Sequence, residues 1–421
     1  MAFRARDLLL GMATAGALAA GVVWAFWPVE AARPPLVEAR RLVAEGRLDA
    51  AADRALEQVR AHPDEVDGHL VLSQILDRER PGPDPRRVLA GLADVHPRRP
   101  VPASLRWLNV GKASYRLARY DKAEAAWLAA IEADPRVPEA GWALLSLYDL
   151  QRRNDDARRL ALRLFGSETD PHDRVLLLVD LLRRDAEPLA PGAVVQAFEP
   201  VAKDNPKDLR SMIALGRALV EDSRIDEALD LLRRLERERP DDLDVAGAYL
   251  TAVAESEEPD ALAEALERLP SRLKESGRLA KFEGRVAQGR RDWEAAARAF
   301  RRAHEADPSD REVFYSLLNA LRMCGSEGEK TRLADSFAAF DLASNEARAV
   351  FDEVRAAGGG LGRDPNPDLY RRIGDVRERM GCRDEAILWY RLALRDRPGD
   401  PAAGAALRRL GVAPEPVRAP D

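Results

Sequence analysis

The chain has 421 residues, 46% of them hydrophobic and 33% charged, with a formal net charge of −6. So mild an acidic balance gives no support for a nucleic-acid binder, which carries a basic stripe. Cys324 and Cys382 are the two cysteines; 58 positions apart, they form no metal-ligand spacing, and a disulfide between them requires a location outside the cytoplasm.

Residues 1–30 stand apart from the rest. Residues 8–27 are a run of 20 uncharged, mostly apolar residues. As a helix this run is about 30 Å long, the thickness of a bilayer core. Arg4 and Arg6 precede it, which favours an amino end kept in the cytoplasm, and Trp24 and Trp27 suit the membrane interface. A cleaved secretory signal ending at Ala31 is the competing reading. The length of the run and the bulk of Trp24, Phe26 and Trp27 beside the cut favour the anchor. The expected location is the cytoplasmic membrane, single-pass, amino terminus inside, with the remainder on the extracytoplasmic, periplasmic side.

A short proline-bearing spacer, 28–35, leads into paired amphipathic segments. Residues 36–44 and 48–61 flank a turn at Glu45-Gly46-Arg47, and the closing prolines Pro63 and Pro97 lie 34 residues apart. Asp84 reads as an N-cap and Pro85 as a first helical residue. Pairs follow over 104–135, 138–170 and 172–206. Pro206 and Pro240 are again 34 apart and frame another, and 242–275 gives two more segments, 243–254 and 259–269. After a helix over 313–321 the period lapses. Two striped segments are expected at 330–340 and 344–357, with Ser344 capping the second, and then a glycine-rich break at 358–362. A last repeat spans 368–398, a solvating cap helix 401–410, and a disordered tail 412–421.

Inside the pairs one ladder recurs: Gly284, Ala296, Phe300, Ala303, Pro308; Gly374, Ala386, Tyr390, Ala393, Pro398; Gly111, Ala123, Trp127, Ala130, Pro135; and, more loosely, Gly216, Ala228, Leu232, Leu235, Pro240. The glycine and alanine let two helices approach, and the proline stops the second, with Asp310 placed to cap the next helix. This ladder resembles the tetratricopeptide repeat. The resemblance implies an all-α, right-handed superhelix, a tetratricopeptide solenoid of about ten to eleven helix pairs, preceded by one transmembrane or signal-anchor helix. The expected organisation is an anchor or signal at 1–30, a first block of repeats at 31–323, an irregular helical insert with a glycine-rich hinge at 324–366, a C-terminal repeat with its capping helix at 367–411, and a disordered tail at 412–421.

Catalytic chemistry finds little support. The glycine run follows a helix, whereas phosphate loops follow a strand. His62, His69, His96, His172 and His304 are scattered, and no serine, cysteine or lysine sits in a nucleophile motif. The expectation is no enzyme, no cofactor and no metal. In proteins of the resembled family the first helix of each pair lines a concave face that contacts peptides. Carried onto this chain, that face includes Lys112, Tyr115, Trp142, Arg210, Arg217, Arg278, Lys281, Arg285 and Arg371, and its arginines suit acidic or carboxylate groups. The resemblance implies a membrane-anchored scaffold for protein–protein interaction, of a kind that assists assembly or maturation of envelope complexes. The alternative is a secreted or periplasmic accessory subunit that presents a polysaccharide or cofactor precursor to a separate enzyme, for which Tyr115 and Trp142 would matter most.

Overall fold

The computed structural model describes residues 34–78, 82–167, 171–186, 189–256, 260–356 and 367–416. The expected anchor at 8–27 and the glycine-rich hinge at 358–362 lie outside the described residues, as does the tail beyond 416. Among the described residues all regular structure is helical, and no helix is long and apolar enough to cross a membrane.

The helices run α1 (Pro34–Ala44), α2 (Leu48–Ala61), α3 (Val66–Leu76), α4 (Pro85–Leu92), α5 (Pro100–Arg116), α6 (Tyr120–Ala133), α7 (Pro138–Leu150), α8 (Asn154–Ser167), α9 (Pro171–Ala186), α10 (Pro191–Asp204) and α11 (Leu209–Glu221). They continue as α12 (Ile225–Glu238), α13 (Leu243–Ala254), α14 (Ala261–Arg268), α15 (Ser271–Lys274), α16 (Ala280–Gly289), α17 (Trp293–Ala306), α18 (Arg311–Cys324), α19 (Glu327–Ala356), α20 (Pro367–Arg379), α21 (Arg383–Asp396) and α22 (Pro401–Arg409), with a 3₁₀ turn at Gly277–Leu279. Two compact units divide the chain, one of residues 1–168 and 192–215, the other of 169–191 and 216–421. In the first unit α1 to α8 pack hairpin on hairpin: α1 and α5 both pack on α3, and α4 packs on α2. In the second unit α12 to α14 and α16 to α22 pack serially, and α19 also meets α9.

The ladder residues do the work their sizes suggest. A Cβ on Gly284 would lie 2.6 Å from Phe300, on Gly374 2.7 Å from Tyr390, and on Gly216 2.5 Å from Leu232; on Gly111 it would run into the Trp127 indole. In each case the large residue sits 16 positions after the glycine. Ala123, Ala296 and Ala386 are fully buried beside these contacts.

Two turns alternate along the chain. Within hairpins the first helix ends in a left-handed residue: Gly46, Ala118, Arg152, Ser223, Arg291 and Gly381 have φ between 52° and 78°. The amide of the residue after the left-handed one then bonds back across the turn, as in Arg119 N to Ser114 O (3.0 Å) and Asp292 N to Ala287 O (2.9 Å), which satisfies carbonyls orphaned at the helix end. Between hairpins the residue before proline leaves the helical region, with φ −142° at Asp307 and −139° at Arg239, because proline disfavours the α conformation there. Aspartates then cap the next helix: Asp310 accepts from the Val313 amide, Asp242 from Asp244 and Val245, and Asp84 from Arg86 with Pro85 opening the helix.

The region expected as two segments is one 30-residue helix, α19, with Ser344 in its interior and not at a cap. No proline or glycine interrupts residues 330–356. Phe340, Ala343, Ala347, Val350 and Phe351 are buried at steps of three and four, so one apolar stripe runs through the expected break. In the C-terminal hairpin Arg377 and Glu385 are 0% and 1% exposed and pair at 3.2 Å.

Ala118→Gly and Ser223→Gly should each raise stability by about 1 kcal/mol, because a left-handed conformation costs a residue with a Cβ about that much. An unchanged urea midpoint for both would contradict this. Glu385→Leu, which removes the carboxylate 3.2 Å from the buried Arg377, should cost about 3–5 kcal/mol, whereas Arg377→Leu with Glu385→Leu should cost far less. Equal losses for the single and double variants would show that the pair does not act as a unit.

Candidate functional site

The expected first-helix residues are placed by the repeat, and most of the cations among them are bonded to an adjacent hairpin. In the first unit, Lys112 on α5 donates to Ser73 Oγ at 2.7 Å and pairs with Asp77 at 2.6 Å, both belonging to α3 and its C-terminal turn. Tyr115, one turn on, is half-buried and packs its ring 5.0 Å from Tyr120 and 5.8 Å from Trp127, within the α5–α6 hairpin. Trp142 on α7 is half-buried, and its carbonyl accepts from Ser146 Oγ. Arg210 on α11 is also half-buried.

In the second unit, Arg278 lies 3.1 Å from the Asp244 carboxylate, and Arg217 approaches the same carboxylate at 3.9 Å. Lys281 reaches Asp310, the cap of α18, at 3.4 Å. Arg285 pairs with Glu255 at 2.9 Å and donates to the Ala254 carbonyl at 3.1 Å. Arg371 pairs with Asp375, one turn along its own helix and apart from the others. Arg217, Arg278, Lys281 and Arg285 therefore gather along α11, α13, α16 and the start of α18. Their exposed ion pairs contribute about 0–1 kcal/mol each, and they neutralise much of the positive charge expected on this face.

The sequence held a signal for this pairing. Arg210, Asp244, Arg278 and Glu312 recur every 34 residues and alternate in sign. Equivalent positions of neighbouring hairpins face one another, as Arg278 with Asp244 and Arg87 with Asp53 do, both 34 apart.

The reading of first-helix residues alone misses a cleft in the second unit. It has a volume of about 710 Å³, within the range of ligand pockets, and is lined by Arg285, Gln288, Gly289, Arg291, Trp293 and Met323. Four elements build it: the last turn of α16, the left-handed turn that presents Arg291, the start of α17 at Trp293, and the end of α18. Gly289 is exposed, and a Cβ there would meet nothing within 4 Å. Met323 is 62% exposed and Tyr315, eight residues earlier on α18, 47%.

Other polar groups are structural. His69 is buried with Nε2 3.0 Å from the Pro63 carbonyl, and the His304 ring lies 4.3 Å from Phe314; burial holds both imidazoles below their ordinary range. Asp208 caps α11 through Ser211, and burial raises its carboxyl above the usual range. Cys324 and Cys382 are free thiols. Among the described residues no three His, Cys, Asp or Glu side chains gather closely enough to hold a metal ion.

No curated protein matches the chain. Similar solved structures include a tetratricopeptide repeat protein from Parabacteroides merdae, at 14% identity over 68% of this chain and 97% of that one, with a TM-score of 0.31. The Cut9–Hcn1 hetero-tetramer of the APC/C is similar at 14% identity over 88% and 82%, TM-score 0.32. The P58(IPK) tetratricopeptide domain is similar at 14% over 90% and 96%, TM-score 0.21. The tetratricopeptide repeat family model matches residues 109–171, 195–242 and 283–326, which hold the glycine-to-large contacts at Gly111, Gly216 and Gly284. The Gly374–Tyr390 hairpin repeats that geometry outside the matched segments. Over those three segments the chain carries tetratricopeptide repeats.

Proposed function

We propose that this protein is a scaffold that binds other proteins through the first-helix side of its second unit, and that residues 8–27 tether it to a membrane with the repeats on the extracytoplasmic side. The observation that carries the reading is the stack of short hairpins whose apolar side chains are spent on one another. What this leaves at the surface beside α16 and α18 is a mixed rim of Lys281, Arg285, Tyr315 and Met323. A repeat array offers an extended surface for recognition. The length of the apolar run supports the tether, and the resemblance to the tetratricopeptide repeat implies a place in assembling or maturing envelope complexes. The packing of Tyr115 against Tyr120 and Trp127 counts against a role for that ring as an exposed sugar platform.

Full-length protein should partition with membranes, and removal of residues 1–30 should release it; a wild-type chain found wholly in the soluble fraction would remove the tether. Detergent-solubilised full-length protein should capture a reproducible set of proteins. Arg278→Ala, Lys281→Ala and Arg285→Ala together should lose at least part of that set, while the melting temperature falls by only a few degrees, since each exposed pair is worth at most about 1 kcal/mol. Undiminished capture by the triple variant would contradict the assignment of this face.

A further inference from the structure

α19 has 30 residues where α17 and α18 have 14 each, so it presents a rod about 45 Å long. Its core side is made by Phe340, Ala343, Ala347, Val350 and Phe351, all buried. At about 100° per residue, these five lie about 130° or more round the helix from the point midway between Asp341 and Leu342. That midpoint therefore looks away from the core. Around it Ala338, Ala339, Leu342, Asn345 and Ala349 are exposed, Leu342 by 63%. No charged side chain is exposed between Asp335 and Arg348. The two carboxylates of that stretch, Asp341 and Glu346, are half-buried and paired with Arg311 and Arg379.

Asp335 and Arg348 close this strip at its two ends. Both are exposed, and neither has an ion-pair partner among the described residues. They lie six and a half residues either side of the same midpoint, on opposite flanks of the outward face. A two-fold axis directed outwards through the midpoint sets a second α19 antiparallel on the first. It brings the second copy's Arg348 to the height and flank of Asp335, and the reverse at the other end. Ala338 and the second copy's Asn345 meet by the same rule, each three and a half residues from the midpoint. A parallel copy would leave the two charges about 20 Å apart along the axis. We propose that this face of α19 docks a second copy of the chain, antiparallel, in a reversible homodimer with Asp335–Arg348 pairs at both ends of the Leu342 strip. A two-fold contact needs a patch complementary to itself, and the placement of these two charges meets that need. The strip supplies the attraction, and the flanking charges set direction and register, as they do in coiled coils. So narrow a contact falls at the low end of interface sizes, so the copies separate on dilution. The proposal goes beyond the scaffold reading and does not depend on which face holds other proteins.

The test is sedimentation velocity of the detergent-solubilised full-length chain over a concentration series, with Asp335→Arg, Arg348→Asp and Leu342→Glu as variants. All three positions are exposed, so each variant should melt within a few degrees of the wild type. The wild type should pass from monomer to dimer as its concentration rises. Each charge reversal alone should weaken the dimer at least tenfold, because like charges then meet at both ends, and Leu342→Glu should weaken it as much. An equimolar mixture of the Asp335→Arg and Arg348→Asp chains should dimerise as the wild type does, since each end again pairs opposite charges. The chain carrying both reversals should do the same. A wild type that stays monomeric at several hundred micromolar would overturn the proposal. So would a dimer indifferent to all three substitutions, or a mixture that associates no better than its components.

Discussion

The contact between a glycine on one helix and a ring or leucine sixteen residues later is the constraint on which the hairpins depend. With no Cβ on Gly284 or Gly374, the large side chains of Phe300 and Tyr390 lie directly against the first helix. That fixes how closely the two axes approach, and the alanines beside them, Ala296 and Ala386, complete the fit at zero exposure. Such a hairpin is too thin to bury its own apolar stripe, so each one covers its neighbours. The local size pattern thus dictates the serial packing within each unit.

Charge follows the same period. Because equivalent positions of successive hairpins face each other, an arginine in one repeat finds an aspartate in the next, as Arg278 does with Asp244. A first-helix face rich in arginine is therefore not a free cationic surface. The pairs continue past α16, as Arg311 with Asp341 and Arg409 with Glu378, but at the turn after α16 Arg291 has no carboxylate partner among the described residues, and Met323 lines the same cleft.

Much of this was legible in the sequence. The glycine ladder, the X-Pro stops and the caps at Asp84 and Asp310 are local signals, and each appears where its chemistry places it. The continuity of α19 was not legible as a break or its absence: Ser344 resembles a cap, and only the buried face from Phe340 to Phe351 decides that it sits mid-helix. The left-handed turns at Ala118, Ser223 and Arg291 were hidden because ordinary residues occupy a position that favours glycine. The cationic face was read as available because each arginine was weighed alone, and not against the residue one repeat away. The cleft was missed for a related reason: its walls come from three helices and a turn that lie more than thirty residues apart at their extremes.

The most direct measurement is a double-mutant cycle at Gly284 and Phe300, read by urea denaturation. In the wild-type background Gly284→Ala should destabilise, because overpacking against the ring, about 1–3 kcal/mol, exceeds the helix-propensity gain of about 1 kcal/mol. In the Phe300→Ala background the ring is gone, and the same substitution should stabilise by about 1 kcal/mol. An effect of Gly284→Ala that is equal in the two backgrounds to within about 0.5 kcal/mol would mean that the glycine does not make room for the ring, and the packing described here would be wrong.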